Sequence, residues 1–458
     1  MIEPLVTVYI ANYNYAAYIG EAIKSVLNQT YGSIEIIVID DGSTDGSRAI
    51  IEDYCTREKI QPIFQENKGL TKTNNVALTM AKGDYIVRLD ADDRLQPTAI
   101  QSLIAGFTSD KVAMVFGNWN VVDEKGNFLY TYKRHDFQKD VTLMDSPAHG
   151  ACTMFRTDYL RSIGGYDEEL RCQDGYELWF RVIDKFEVKS LDQVVFDYRR
   201  HGNNLTDNEG RILSTRAKIL RKVARIKSEK LERVFAFIPV RGSQLDSRSM
   251  PFQKIGDSYI IDIVLNEIIS TNIFEKIVVS TPDKRLINYI EKKYLNSISI
   301  HCRSISSAKI NTSLDQTLID YLTCEGRVLQ SMRYGVLIGI DRPFNKGYLI
   351  ESALDIARIF NVHNVIGVRP TRETFFRHTG SSLSGINFSR DSLRLERDEL
   401  YQMVRGFNVF RTQNLLETNS IWGSVIGHVV FDQKSAFTVD SNLDVLLAEK
   451  LHSLSVVV

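Results

Sequence analysis

Short apolar runs alternate with stretches of helical spacing through the N-terminal half of the chain. "LVTVYIANYN" (Leu5–Asn14) reads as a strand with its exit loop, and "YIGEAIKSVLNQT" (Tyr18–Thr30) has apolar residues at helical spacing. "IEIIVIDDGS" (Ile34–Ser43) predicts a second strand, "SRAIIEDYCTRE" a second helix, and "GDYIVRLDADD" (Gly83–Asp93) a further strand. Such alternation predicts a mostly parallel sheet covered by helices. From Arg211 to Arg233 the pattern changes to a Lys- and Arg-rich helix without Gly or Pro. A second alternation then begins with "VFAFIPVRGS" (Val234–Ser243) and continues through "EKIVVSTPD", "YGVLIGIDRP" and "NVIGVRP". The pattern therefore predicts an α/β domain over 1–210, a basic linker helix over 211–232 and a second α/β domain over 233–458.

Two of the predicted strands end in acids. In an open parallel sheet the ligand crevice lies at the carboxyl ends of the strands, so Asp40 and Asp41 stand where a cleft would begin. A carboxylate there accepts from a base N–H or from ribose hydroxyls. A strand-end turn with a capping Asp is the alternative for this stretch taken alone. "LDADD" (Leu89–Asp93) puts three carboxylates within four residues. Crowded acids repel unless a cation or strong donors are close, and hard oxygen ligands at a strand end suit Mg²⁺ or Mn²⁺ bridging to a diphosphate. A solvated acidic loop is the competing reading.

The ordered set "VYIANYNYAAYIGEAIKSVLNQTYGSIEIIVIDDGSTDGS", "NKGLTKTNNVAL", "AKGDYIVRLDADD", "GGYDEEL", "QDGYELWFRV" and "YRRHGNNLT" resembles the inverting, GT-A-fold (family 2 type) glycosyltransferases over about residues 4–205. The resemblance implies a Rossmann-like nucleotide-diphospho-sugar transferase domain. It implies that Ala11, Tyr13, Asp41 and Asp90 contact the donor nucleoside and that Asp92 ligates Mg²⁺ or Mn²⁺. It also implies that Arg199 and His201 contact the donor diphosphate, with Arg200 beside them. Asp174 stands in the catalytic-base position, with Glu177 as runner-up and helix capping as the structural alternative. One departure is Asn74, at a place where relatives often carry Arg; Lys68 or Lys72 would have to substitute.

The second half carries "FAFIPVRGSQLDSRSMPFQKIGDSYIIDIVLNEI", a strand, a basic loop and a helix, in which Arg, Gly and Ser after a strand suit an anion. With "VLIGIDRPFNKGYLIESALD" and "FTVDSNLDVLLAEKL" it is similar to the CMP-sugar (acylneuraminate/Kdo-type) cytidylyltransferases over about residues 234–456. That resemblance implies a nucleotidyltransferase-like α/β domain taking CTP and an acidic sugar. Nucleotide-binding roles would fall to Arg241, Gly242, Ser243, Arg248 and Lys254, and metal-binding roles to Asp341 and Asp440. "RPTRETFFRH" (Arg369–His378) would add cations. The loop departs from its relatives: Ser249 stands where a phosphate-binding Lys is usual. A domain without activity, serving as scaffold, dimerisation or nucleotide-sensing module, therefore stays open beside a bifunctional enzyme of surface-polysaccharide synthesis.

Composition changes this picture little. The 458 residues are 43% hydrophobic and 25% charged, with a formal net charge of −1, so nothing global points to nucleic acid or membrane. The five scattered cysteines suit reduced thiols in a cytoplasmic protein. No signal peptide or membrane-spanning run is visible. The linker helix has three readings: a peripheral helix at the inner membrane face, a dimerising helix, or, from its stripe Ile212, Leu213, Ile219, Leu220, Val223 and Ile226, a helix packed on protein. The partners implied are a UDP- or other NDP-sugar donor and a glycan or lipid-linked acceptor. A non-catalytic glycan-binding protein is the remaining class.

Overall fold

The computed structural model describes residues 3–133, 135–143, 145–170, 172–201, 209–227, 232–295, 297–309, 313–325, 331–371, 373, 375–378, 383–385 and 400–455. Part of the segments Tyr198–Thr206 and Arg369–His378, and 228–231 of the linker, lie outside these residues. The chain divides into two compact units, Met1–Arg216 and Ala217–Val458.

The first unit is built on one sheet. Strands β1 (Val6–Asn12), β2 (Ile34–Asp40), β3 (Ile60–Phe64) and β4 (Tyr85–Asp90) are parallel, with β1 between β2 and β4. Helices α1 (Ile19–Leu27), α2 (Ser47–Arg57) and α3 (Leu70–Met80) make the crossovers. After β5 (Arg94–Leu95) and α4 (Ala99–Ala105) the chain adds β6 (Val112–Val122), β7 (Phe128–Tyr132) and β8 (Met154–Arg156). It then adds α5 (Thr157–Ser162), α6 (Asp174–Ile183) and β9 (Glu187–Arg199). The order across the sheet is β3-β2-β1-β4-β8-β6-β9-β5, with β7 on β6. The sheet is thus mixed: β8 runs antiparallel to β4 and to β6.

Alternation along the strands sorts the core into two faces. Val6, Val8 and Ile10 of β1, Val38 of β2, and Tyr85, Val87 and Leu89 of β4 fill one buried cluster. Each such fully buried side chain contributes about 1.5–3 kcal/mol. Tyr9, Ile37, Ile39 and Ile86 fill the other, together with Leu178, Trp179 and Val182 of α6. Arg88 and Asp90 alternate with Val87 and Leu89, so they share the α6 face with Ile86. A charged residue in mid-strand under a helix needs a partner of opposite sign.

The second unit has a separate seven-stranded sheet. Its order is Ser299–Cys302, Lys276–Thr281, Val234–Pro239, Tyr334–Ile338, Leu400–Arg411, Asn364–Thr371, Ile426–Val430. Only Leu400–Arg411 runs antiparallel to its neighbours. Phe235, Phe237, Leu318, Tyr321 and Phe410 are central to its core.

The basic helix α7 spans Glu209–Lys227. Leu213, Ile219, Leu220 and Ala224 are buried, while Ile226 is 73% exposed. Its stripe is spent on packing against protein, which disfavours the lipid-facing reading. No helix among the described residues is long and apolar enough to cross a membrane.

Candidate active site

The acids at the ends of β2 and β4 are committed to different tasks. Asp40 and Asp41 are both buried. Asp40 accepts from Asn12 Nδ2 (2.8 Å) and from the Ser43 N–H (2.8 Å), which closes the turn after β2. Gly42 has φ +80°, and a Cβ there would stand 2.8 Å from the Asn67 backbone nitrogen, so the turn needs glycine. Asp41 accepts from the Lys68 and Gly69 N–H groups (both 2.9 Å) and from Gln65 Nε2 (2.7 Å). It therefore holds the loop before α3, with about one acceptor position of a carboxylate's four left for a ligand. Ala11 lies at the end of β1, paired with Ile39 and Asp90, and Tyr13 beyond it is 47% exposed.

The next cluster lies at the end of β4. Arg88 is 4% exposed and its Nε lies 2.9 Å from Asp90 Oδ1, while its Nη1 donates to Asp174 Oδ2. Asn74 Nδ2 donates to the same Asp174 oxygen (3.2 Å). One buried guanidinium thus bridges Asp90 and the candidate base. Asp174 is the first residue of α6, and the capping position belongs to Gln173, in left-handed backbone at φ 63°. Arg216 Nε donates to Gln173 Oε1 (2.7 Å) and fixes that turn. Asp174 turns to Arg88 and Asn74, not to the helix N–H groups, so the capping alternative fails. Glu177, the runner-up, is buried and paired with Arg181, Oε1 to Nε at 2.6 Å, and is a structural residue.

Asp174 Oδ2 carries both donors, and Oδ1 accepts no hydrogen bond from the described residues. A Cβ at Gly150 would come 2.9 Å from Arg88 Nη2 and 3.4 Å from Asp174 Oδ1, so glycine lets the backbone pass close over this buried pair. Asn74, the departure noted in the sequence, contacts the candidate base itself. Lys68 and Lys72 are exposed.

Burial pushes the Asp90 carboxyl up to about 6, with Arg88 pulling against it and Asp92 and Asp174 adding to the rise. Asp93 is buried, accepts from the Arg199 N–H (2.9 Å), and is held well above the usual carboxylate range by burial and by Asp92 and Asp90. Asp92 Oδ2 meets His201 Nε2 at 3.0 Å. That imidazole stacks on Tyr18 with ring centres 5.4 Å apart and meets Tyr15 edge-on at 5.6 Å.

Arg199 needs correction. It is 2% exposed; its Nε donates to the Asp92 carbonyl (2.8 Å), its Nη1 to the Glu124 carbonyl (3.0 Å), and its Nη2 pairs with Glu21. It closes β9 onto the acidic loop and is not placed to reach a diphosphate. The Tyr-Arg-Arg-His string suggested an open basic loop, but Arg199 is still the last residue of β9.

The second unit gathers its own pocket, a cavity of about 460 Å³ lined by Arg241, Arg248, Asp341, Arg342, Arg405 and Asp440 among others. Four of these were expected from three distant segments, and Arg342 and Arg405 were not. Val439 N–H donates to the Asp341 carbonyl (2.8 Å), which brings Asp440 beside Asp341. Asp246 accepts from Arg241 Nη1 (3.3 Å) and Arg248 Nε (3.1 Å) and anchors the basic loop. Three further expected residues stand apart from this lining. Gly242 spends its N–H on Ser249 Oγ (3.1 Å) and shapes the turn at φ +81°. Ser243 is exposed and outside the pocket lining. Lys254 is outside it too, its ammonium 5.7 Å from the Tyr259 ring centre on a short hairpin.

Across the first unit, residues 7–164 match the glycosyl transferase family 2 profile. An uncharacterized glycosyltransferase of Rickettsia typhi is 33% identical over 214 residues, 45% of this chain and 67% of that protein. The chondroitin synthase of Escherichia coli is 29% identical over 209 residues, 44% of this chain but only 30% of that protein. Among solved structures, S. aureus TarS 1–349 in complex with UDP is 20% identical at a TM-score of 0.41, covering 49% of this chain and 65% of that one. The fold and the family match define a GT-A-type glycosyltransferase domain. The chain belongs to glycosyl transferase family 2.

Proposed function

We propose that the first unit transfers a sugar, with inversion, from a nucleoside diphosphate sugar to a hydroxyl of a glycan or lipid-linked acceptor in polysaccharide synthesis. The observation that supports this most is the Arg88 bridge, which ties a candidate base to Asp90 at the end of β4. Asp174 Oδ1 takes the acceptor proton as the acceptor oxygen bonds to the anomeric carbon. The bond from that carbon to the diphosphate oxygen breaks, and its electron pair leaves with the nucleoside diphosphate. Arg88 and Asn74 hold Oδ2 and orient the carboxylate. Asp41, Ala11 and Tyr13 line the nucleoside end, and Asp90 faces the ribose.

The donor set fits a divalent ion. Asp92 and His201 present a carboxylate and an imidazole 3.0 Å apart. Among the described residues no group of three or more His, Cys, Asp or Glu could hold a metal. Two protein ligands with the rest from diphosphate oxygens is the arrangement Mg²⁺ or Mn²⁺ commonly takes. When bound, the ion supplies neutralisation of the leaving diphosphate. Release of nucleoside diphosphate from a panel of UDP- and GDP-sugars, with Mn²⁺ and an oligosaccharide acceptor, tests the reading. Turnover that Asp174→Asn abolishes is expected; equal turnover in wild type and variant would overturn it.

The second unit supports a narrower reading. Convergence of Arg241, Arg248, Asp341 and Asp440 on one cavity favours a nucleotide-sized ligand site. CTP-dependent activation of an acidic sugar would need Asp341 and Asp440 to share a divalent ion. Asp341 Oδ2 is instead taken by Arg342 Nη1 at 2.8 Å, and Asp440 lies against Asp444. These residues do not fit the ion, so a ligand-sensing module is the reading favoured over bifunctional catalysis.

A further inference from the structure

We propose that the cavity of the second unit is a metal-independent site for the oligophosphate chain of a nucleotide, with Arg342 standing where a divalent ion would otherwise sit on Asp341. The inference rests on reading that cavity as a ligand site.

Four guanidiniums line the cavity against three carboxylates. Asp246 is spent on the Arg241–Arg248 loop and Asp341 on Arg342. Arg342 is 7% exposed and its Nε has no hydrogen-bond partner. Arg405, also in the lining, is exposed and has no acidic partner among the described residues. A further arginine, Arg303, lies close enough to Arg241 to feel its charge. It is 8% exposed, has no acidic partner among the described residues, and its Nε is unpaired. Burial, together with repulsion from Arg241, pushes Arg303 down to about 10.

Arg303, beside the lining, is a buried cation without an acid among the described residues, and such a group is unfavourable unless something else supplies counter-charge. An oligophosphate does so, because planar guanidiniums bind phosphate oxygens through paired N–H donors. The arginines come from separate places: the loop after Val234–Pro239, the turn after Tyr334–Ile338, and strand Leu400–Arg411. They suit several linked phosphates better than one carboxylate. Asp440 remains as an exposed acceptor at the rim, suited to a hydroxyl or amine on the nucleoside part of the same ligand. The cavity volume lies within the range of small-ligand sites.

The test is calorimetric titration of CTP into the full chain in EDTA and again in Mg²⁺, with sodium tripolyphosphate as competitor. CTP is expected to bind in EDTA, to bind no more tightly in Mg²⁺, and to be displaced by tripolyphosphate. Arg342→Gln and Arg405→Gln are each expected to weaken binding about tenfold or more, the loss of one charge-assisted hydrogen bond. Lys254→Gln, outside the lining, leaves it unchanged. If Arg342→Gln does not fold, the exposed Arg405 still decides the matter. Binding that needs Mg²⁺ would overturn metal independence while leaving the ligand site standing. No binding in either condition would overturn both, and binding indifferent to Arg405→Gln or to tripolyphosphate would overturn the arginine-held oligophosphate.

Discussion

The two units make opposite use of the same device, an acid at the carboxyl end of a β-strand with an arginine beside it. In the first unit Arg88 is shared by Asp90 and Asp174, while the Asp92 carboxylate meets the imidazole of His201. In the second unit Arg342 follows Asp341 directly and pairs with it at the cavity wall. The cation is already part of the chain, and what lacks a partner is positive. The sign of the unmet charge, more than the presence of an acid, is what separates the two proposed sites.

The largest effect that would break this contrast is at Asp174. Asp174→Asn keeps the hydrogen-bond geometry but removes the base, and kcat for transfer is expected to fall by about 10²–10⁴, measured as nucleoside diphosphate release. Arg88→Met comes next. It leaves Asp174 buried without its cation, so stability in urea should drop by about 3–5 kcal/mol. Arg88→Lys should recover part of that stability but not the transfer rate, because one ammonium cannot serve two carboxylates in the guanidinium's geometry. Asp92→Ala should abolish the Mn²⁺ dependence of donor binding, read by titrating donor with and without the ion.

A smaller effect sharpens the second half of the contrast. His301 accepts or donates at Ser280 Oγ (3.0 Å), and its pKa is lowered first by burial and then by Arg303, against Asp320 and Glu325. Its folded pKa lies below the unfolded value of about 6.5, so the unfolded state takes up the proton first. Stability is therefore complete above that value and lost as the pH falls through the folded pKa. Thermal unfolding of the full chain should show this decline below about pH 6.5, and His301→Gln should flatten it.

How much of this was legible in the sequence follows from what each residue touches. The acids at strand ends were readable because apolar runs ended on them: Asp41, Asp90, Asp92 and Asp341 lie at or just beyond the ends of strands, while Asp440 stands just before the helix Asn442–Ser455. Asp174 was readable from its motif, and its companion Arg88 was not. Arg88 sits mid-strand in "YIVRLD", and its partner is 86 residues away, so no local pattern shows the bridge. Alternation does place Arg88 on the face that α6 covers, which is the one signal that hinted at a buried pair. Arg199 was misread because its basic neighbours suggest an open loop, although it ends β9. Arg342 was visible beside Asp341, but adjacency in sequence does not say whether an arginine turns onto its neighbour or away. The antiparallel insertion of β8 was equally hidden, since three residues of strand carry too little periodicity to fix a direction.

The most direct test of the central claim is nucleoside diphosphate release by the full chain from a UDP-sugar panel with acceptor, comparing Mn²⁺ with EDTA and wild type with Asp174→Asn. The account predicts turnover in wild type with Mn²⁺ alone, lost in EDTA and in the variant. Turnover that persists in Asp174→Asn, or that ignores EDTA, would contradict it.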